Sequence, residues 1–120
     1  MRSKVCVIGI VMAGSLLIGC GRVETFGSGV SDAKPIEVSE ILGNPSSHNG
    51  DNVRISGRIS EECPSGCWFK VEDGSGVIHV DIAPEGLAIP PRIGRDVEVE
   101  GSVFVNGNRT ILLGKGVKIR

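Results

Sequence analysis

Apolar and polar residues alternate along much of the chain. The first run places apolar residues or glycine at positions 53, 55, 57 and 59, with polar residues between them. This period of two is typical of a half-buried β-strand, and Gly57, which has no side chain, would ease a sharp bend within it. The alternation predicts five strands, at residues 53–60, 67–72, 77–82, 97–105 and 110–119.

Residues typical of turns separate the predicted strands. The sequences Asp-Gly-Ser-Gly at 73–76 and Asn-Gly-Asn at 106–108 suit tight hairpin turns. The segment 83–94 contains three prolines and two glycines, so we expect an irregular connection there. A short helical turn is predicted at 38–42, ended by the Gly-Asn-Pro that follows it. Together these elements predict an all-β fold, a small closed barrel of five strands.

The first twenty residues have a different pattern. Two basic residues within 1–4 precede an almost uninterrupted apolar run at 5–18, which is typical of a secretory signal and too short for a permanent membrane span. The ending Leu-Ile-Gly-Cys, at 17–20, resembles the bacterial lipoprotein signal. This resemblance implies cleavage before Cys20 and acyl chains on its sulfur and its amine, which anchor firmly because each buried methylene contributes about 0.8 kcal/mol. The alternative is an ordinary secretory signal that an unrelated cysteine happens to follow.

These patterns divide the chain into three predicted parts. A signal peptide at 1–19 precedes the lipidated Cys20 and a flexible tether, which together occupy 20–36. The tether is predicted because 21–35 contain several glycines and serines without periodicity. The folded domain is predicted at 37–120. We therefore expect a protein of the cell envelope, lipid-anchored to the membrane and facing the periplasm or the exterior.

Charge and aromatic content limit the classes of partner. After loss of Arg2 and Lys4 with the signal, 11 of the 13 basic residues remain against 14 acidic ones, so the net charge is near −3 with histidine neutral. One tryptophan and three phenylalanines are few for base stacking. We therefore expect the membrane as one partner, an envelope ligand or protein as another, and no nucleic acid. We also expect a monomer that needs no cofactor.

Two cysteines, Cys63 and Cys67, belong to the predicted domain. In an exported protein two cysteines this close favour a disulfide, which would contribute about 2 kcal/mol because the closed loop is short. A metal site would need further ligands, and His79 and Asp81 are the nearest candidates. Since His79 would lie about 10 Å away along its strand, a complete tetrahedral site is disfavoured. Two thiolates that bind a soft ion such as Cu(I), or a redox pair, are the alternatives.

A disulfide between these cysteines sets a register for the first hairpin. With Cys63 opposite Cys67, apolar residues pair with each other and opposite charges face each other, as cross-strand pairing favours. Glu61 would then fall on the apolar side opposite Phe69, so we expect a bulge or a strong twist near the end of the hairpin. The predicted pairs are Arg58 with Glu72, Ile59 with Val71, Ser60 with Lys70 and Glu62 with Trp68.

The second and third predicted strands, folded about the turn at 73–76, share an outward face. Cys67 then opposes Ile82, and the alternation turns two pairs of polar or aromatic residues outward. An exposed tryptophan there would be a platform for a sugar ring or a base, with a lysine and an aspartate forming hydrogen bonds beside it. Alternatively, the tryptophan packs against the connection at 83–91, and the histidine is an ordinary surface residue. The candidate ligand-binding residues are Trp68, Lys70, His79 and Asp81.

Residues 51–59, 68–81 and 94–101 carry a resemblance to a known fold. They resemble the OB-fold of exported bacterial proteins, both the anticodon-binding-like OB domains and the small periplasmic family called bacterial OB-fold proteins. The resemblance covers about 38–120, and it implies a five-stranded OB barrel whose ligands lie on the outer face of the second and third strands. It implies no single function, because this fold has many unrelated ligands. The hairpin with two cysteines departs from the general pattern.

The sequence as a whole predicts a noncatalytic binding module anchored to the membrane. Its serines lie in turns without a paired histidine and carboxylate, and its glycine-rich stretches lack the helix that follows a phosphate-binding loop. We therefore predict that the protein is not an enzyme. The alternative function is that of a thiol-based metal-binding or redox protein, with Cys63 and Cys67 as the reactive residues.

Overall fold

The computed structural model describes residues 22–31 and 33–120. The predicted signal peptide and the candidate lipidation site Cys20 lie outside the described residues. Within the described part of the chain, no helix has the length and apolar character needed to cross a membrane. The strands in this part are Glu24–Gly27 (β1), Lys34–Pro35 (β2), Asn52–Glu62 (β3), Trp68–Glu72 (β4), Val77–Asp81 (β5), Asp96–Asn106 (β6) and Arg109–Ile119 (β7). The helices are Val38–Gly43 (α1) and Pro45–His48 (α2), and a 3-10 turn lies at Ala83–Glu85.

Five of these strands close into a barrel. Strand β3 pairs antiparallel with β4 on one side and with β6 on the other, and β4 pairs antiparallel with β5. Strand β7 completes the circle, because it runs parallel to β5 and antiparallel to β6. The order β3-β4-β5-β7-β6 around a five-stranded Greek-key barrel is that of the OB-fold. The fold predicted from the sequence is therefore confirmed.

Alternation along the barrel strands directs one side of each strand into the core. In β4 and β5 the inward residues are fully buried, and they include Phe69, the largest side chain in the interior. Each fully buried side chain of this size contributes about 1.5–3 kcal/mol. The outward residues between them are half-buried or exposed, so β4 and β5 present a second, solvent-facing surface. The inward residues of the two strands are Phe69, Val71, Ile78 and Val80.

Helix α1 covers one end of the barrel. Val38 and Ile41 are both fully buried against the core. The turn between β4 and β5 caps the helix, because the Val38 N–H donates to the Asp73 carboxylate at 2.9 Å and the Ser39 N–H donates to the Ser75 hydroxyl at 3.0 Å. Two side chains distant in sequence thus satisfy N–H groups that the first turn of a helix leaves without partners.

The helical turn predicted at 38–42 is present as α1, and a second helix follows it. Helix α2 starts at Pro45, which the sequence analysis treated only as a helix stop. Proline has no N–H to leave unpaired and has a helical φ, so it is accepted at the first position of a new helix. One proline therefore ends α1 and begins α2.

The segment before α1 lies against the barrel in two places. Strand β1 pairs antiparallel with β7, and β2 pairs parallel with β3. The Arg92 guanidinium also donates two hydrogen bonds of 2.8 Å to the Glu24 carboxylate. The predicted flexible tether is therefore wrong at residues 24–27 and 34–35. The tether was predicted from composition, because this stretch contains glycines and has no periodicity. Composition alone does not reveal that the stretch pairs with a strand at the other end of the chain.

Glu100 of β6 holds a further part of this segment. Its carboxylate accepts hydrogen bonds from the N–H and the hydroxyl of Ser31, at 2.7 and 2.8 Å, and from the Asn52 amide at 2.9 Å. The Ser31 N–H, followed by the Asn52 amide and the Ser31 hydroxyl, lowers the pKa of Glu100 to about 2. The carboxylate is therefore charged at neutral pH, and charged acceptors form the stronger hydrogen bonds.

Candidate functional site

The hairpin of β3 and β4 follows the predicted register only at its base. A bulge lies between Ile59 and Glu61, so the bulge expected near the hairpin end is present, with Ser60 as its extra residue. Beyond it the pairing shifts by one position. The predicted pairs of Ser60 with Lys70 and of Glu62 with Trp68 are therefore wrong. The observed pairs are Arg58 with Glu72, Ile59 with Val71, Glu61 with Lys70 and Glu62 with Phe69.

The hairpin of β4 and β5 has the predicted register. Trp68 lies opposite Asp81 and Lys70 opposite His79, and the Ile82 N–H donates to the Cys67 carbonyl at 3.1 Å. The structure therefore brings the four candidate ligand-binding residues together on the outer side of the two strands, where each is half-buried. We call the surface of Trp68, Lys70, His79 and Asp81 the Trp68 face.

The Trp68 indole stacks on the imidazole of His79. The ring centroids are 5.0 Å apart and the planes are inclined by 26°. Aromatic pairs favour stacked arrangements at this distance. Burial lowers the pKa of His79, the nearby charges of Arg109 and Lys70 lower it further, and Asp81 acts in the opposite direction. The imidazole is therefore neutral at pH 7, and this stack helps to orient the indole.

An open depression of about 430 Å³ adjoins the Trp68 face. It lies between β5 and the hairpin of β6 and β7, because β5 and β7 are parallel neighbours and His79 pairs with Ile111. His79 belongs to both the depression and the Trp68 face, so the two form one continuous surface. We call this depression the Arg109 notch, and its walls are Lys70, Val77, His79, Asn108, Arg109 and Thr110.

Two cations in the Arg109 notch differ in their pairing. Lys70 is 3.2 Å from the Glu61 carboxylate across the hairpin, so part of its charge is neutralised. Arg109 has no salt-bridge partner within the described residues. A guanidinium without a carboxylate partner, beside neutral donors from Asn108 and Thr110, suits a carboxylate or a phosphate group.

Arg109, Asn108 and Thr110 are site residues that sequence patterns alone do not predict. They surround the turn of the last hairpin, and only the parallel pairing of β5 with β7 brings that turn beside His79. A parallel pair has no short turn to show its register, so alternation alone could not place these residues. The strand order of the OB-fold, in which these two strands are neighbours, is the one signal that could have placed these residues beside His79.

Cys63 and Cys67 lie at the tip of the first hairpin as free thiols. Their sulfur atoms are 3.2 Å apart, whereas a disulfide bond measures about 2.05 Å, so the predicted disulfide is not formed in the structure. The bulge also changes their relation, because the Cys63 N–H donates to the carbonyl of Trp68 at 3.0 Å. The cysteines are therefore not directly opposed across the hairpin but are the two ends of one tight loop.

The thiol pair and the Trp68 face do not combine into a larger cluster of metal ligands. Among the described residues, no group of three or more His, Cys, Asp or Glu side chains is placed to hold a metal ion. His79 is stacked on Trp68, and the Asp81 carboxylate accepts a hydrogen bond from the Ala83 N–H at 3.1 Å. A soft ion bound at the hairpin tip would find two sulfur ligands.

Cys63 is expected to react with iodoacetamide at a lower pH than an ordinary thiol. Hydrogen bonds from Ser65 and Cys67 lower the pKa of Cys63 from 9.0 to about 6, and only the thiolate is nucleophilic. The rate of its alkylation, followed by peptide mass spectrometry from pH 5 to pH 10, should reach half its maximum near pH 6. A midpoint near pH 9 would show that these hydrogen bonds do not stabilise the thiolate.

Comparisons with known proteins show the fold. No protein-family model and no curated protein matches the chain. The solved structure of the hypothetical protein ygiW from E. coli is similar over 79% of this chain and 99% of that chain, with 22% identity and a TM-score of 0.59. A putative aspartyl-tRNA synthetase from Leishmania major Friedlin is similar over 78% of this chain and 22% of that chain, with 16% identity and a TM-score of 0.54. Identities this low show a shared fold and do not assign a function.

Proposed function

We propose that this protein is a noncatalytic binding module of the bacterial cell envelope that binds its ligand at the Trp68 face and the Arg109 notch. The observation that carries this proposal is the continuous surface formed by a half-buried tryptophan, its stacked histidine and an arginine without a salt-bridge partner in the described residues. The OB-fold supports it, since ligands of this fold lie on the same strands. Because the imidazole of His79 is stacked on Trp68, His79 suits a role in ligand binding better than a role in proton transfer.

The composition of this surface favours a ligand that combines a ring with an anionic group. An indole offers a flat apolar surface on which a sugar or an aromatic ring stacks. Arg109, with Lys70 beside it, provides positive charge for a phosphate or a carboxylate on that ring. Asp81, at the opposite edge next to Trp68, accepts hydrogen bonds from ring hydroxyl or amino groups. The ligand would therefore extend from Trp68 across His79 to Arg109.

Small probes test this class of ligand directly. We expect glucose 6-phosphate and adenosine monophosphate to bind at least ten times more tightly than glucose and adenosine, measured by NMR shifts of the backbone amides of β4 and β5. Trp68→Ala should weaken binding of the phosphorylated probes about tenfold, since a stacked ring contributes about 1–3 kcal/mol. Arg109→Ala should remove the preference for the phosphorylated form.

Arg58→Ala is the matched control for Arg109→Ala. Like Arg109, Arg58 is exposed on the barrel, but it lies opposite Glu72 at the base of the first hairpin and outside the notch. This variant should bind all four probes as the parent protein does. Equal binding by the parent and Trp68→Ala would reject the tryptophan platform, and shifts confined to other strands would reject the site.

Anchoring by a lipid on Cys20, after cleavage of a signal peptide at 1–19, completes the proposal. Strand β1 begins at Glu24 and is paired with β7. Four residues of extended chain span at most about 14 Å, so the barrel would lie close to the membrane surface. The protein would face the periplasm or the exterior, and its ligand would be a soluble or a protein-bound component of the envelope.

A further inference from the structure

The tip of the first hairpin has a chemistry that ligand binding on the Trp68 face does not use. We propose that Cys63 and Cys67 form a thiol–disulfide exchange site whose substrates are disulfides, with Cys63 as the attacking thiol and Cys67 as the resolving thiol. The site lies at an accessible tip, because both cysteines are half-buried and Ser65 between them is exposed. The proposal is independent of any ligand on the Trp68 face.

The geometry of the loop brings the reacting groups together in the reduced state. The two sulfur atoms are 3.2 Å apart, and the Ser65 hydroxyl lies 3.1 Å from the Cys63 sulfur. The loop is also held in place, because the Gly66 N–H donates to the Cys63 carbonyl at 2.8 Å and the Ile89 N–H donates to the Gly66 carbonyl at 3.1 Å. Formation of the disulfide therefore needs the sulfurs to approach by only about 1 Å, to the usual bond length.

The hydrogen bonds assign different roles to the two thiols. The Cys67 thiol donates to the Cys63 sulfur, and the Ser65 hydroxyl lies closer to the Cys63 sulfur, at 3.1 Å, than to the Cys67 sulfur, at 3.6 Å. Both groups stabilise negative charge on Cys63, in agreement with the lowered pKa of that thiol. A thiolate with a pKa near the ambient pH is the effective attacking group in exchange. Cys67 is left as the thiol that attacks second.

The exchange proceeds in two balanced steps. The Cys63 thiolate attacks one sulfur of a disulfide R–S–S–R, the Cys63–S–R bond forms, and the first R–S⁻ leaves and takes a proton from water. Cys67 then loses its proton to water and attacks the Cys63 sulfur, so that the Cys63–Cys67 bond forms, the Cys63–S–R bond breaks, and the second R–S⁻ leaves and takes a proton from water. Two protein thiols are oxidised, and one disulfide is reduced to two thiols. The reverse steps reduce the protein.

A stabilised thiolate also argues that this disulfide is labile rather than permanent. Oxidation removes the hydrogen bond from the Cys67 thiol and the thiolate charge that Ser65 stabilises, so favourable contacts of the reduced state are lost when the bond forms. Stabilisation of the reduced form makes a disulfide easier to reduce. The pair should therefore cycle between both states with a small thiol such as glutathione, whereas an inert structural disulfide would not.

Reaction of the reduced protein with glutathione disulfide tests the assignment. Intact mass should show the parent protein losing two hydrogen atoms while two glutathione molecules are released. Cys67→Ser should stop as a mixed disulfide that carries one glutathione on Cys63. Cys63→Ser should react at least ten times more slowly than Cys67→Ser. Emission of the chain's one tryptophan, directly after Cys67, confirms in each variant that the hairpin is folded.

Three results would overturn the proposal. Equal reaction rates of the two single variants would remove the separate roles of the cysteines. A purified protein whose disulfide resists glutathione under native conditions would make the pair a structural crosslink. A reduced, folded parent protein that does not react with glutathione disulfide would show that the thiols are inert. Ser65→Ala should react more slowly than the parent protein, and an unchanged rate would count against the assigned activation of Cys63.

Discussion

Replacing Gly57 with alanine is expected to destabilise the protein by about 3 kcal/mol, which lowers the melting temperature of so small a domain by about 15 °C. A β-carbon at position 57 would clash with the carbonyl oxygen of Glu72 and would lie 2.9 Å from a methyl group of Val71. The first of these atoms belongs to the backbone of β4, so the clash is relieved only if the hairpin opens. Thermal unfolding followed by circular dichroism measures the effect.

Gly43→Ala is the matched control. A β-carbon at Gly43 would meet no atom within 4 Å, and its φ is not in the left-handed region. Alanine there should leave the stability unchanged or raise it by about 0.5 kcal/mol, because it reduces the freedom of the unfolded chain. If the two variants melted within a few degrees of each other, the close approach of β3 to β4 would not limit stability.

Gly57 is important for stability because β3 pairs antiparallel with two different strands, β6 and β4. The strand pairs with β6 from Asn52 to Arg58 and with β4 from Arg58 onward, so Gly57 lies where the strand passes from one neighbour to the other. The absence of a side chain lets the two neighbouring strands converge there and lets the barrel close. The alternation predicts an eased bend at this glycine, and in the structure the close Glu72 backbone explains why no side chain fits there.

Local patterns were sufficient to predict the Trp68 face. Alternation located the five barrel strands, and the short turn after Glu72 set the register of β4 against β5. In a tight hairpin the turn length and the alternation together leave one consistent pairing. These patterns therefore predict that Trp68 and His79 lie on one side of the sheet, but they do not predict the stacking of the two rings.

Long-range pairing accounts for what the sequence did not reveal. Arg109 reaches the site through the parallel pair of β5 and β7, and Glu24 reaches Arg92 through the pairing of β1 with β7. Neither contact leaves a periodic signal in a single sequence. The disulfide register is wrong for a smaller reason: a bulge was expected near the end of the hairpin, but its one-residue shift was not applied to the pairs beyond Ser60, the extra residue.

Replacing Asp73 with alanine is expected to cost about 2–3 kcal/mol of stability, and we expect the loss to centre on helix α1. One oxygen of the Asp73 carboxylate accepts the Val38 N–H, and the other accepts hydrogen bonds from Ser75 and Gly76 within its own turn. Loss of a helix-capping acceptor costs about 1 kcal/mol, and the hydrogen bonds in the turn add to it. Urea unfolding measures the total, and hydrogen exchange at Ile41 shows whether α1 loosens first.

The charge of Asp73 gives this prediction a pH signature. Partial burial acts to raise the pKa of Asp73, but hydrogen bonds from Ser75, Val38 and Gly76 outweigh it and lower the pKa below 3.8. The stabilisation is therefore complete above about pH 4 and is lost as the pH falls through the lowered pKa. Asp73→Asn keeps an acceptor but does not titrate, so its deficit against the parent protein should shrink at low pH.

Asp51→Ala, which removes an exposed loop carboxylate, is the control for Asp73→Ala and should cost less than about 0.5 kcal/mol. An equal cost at both positions would show that Asp73 does not stabilise the protein by capping α1.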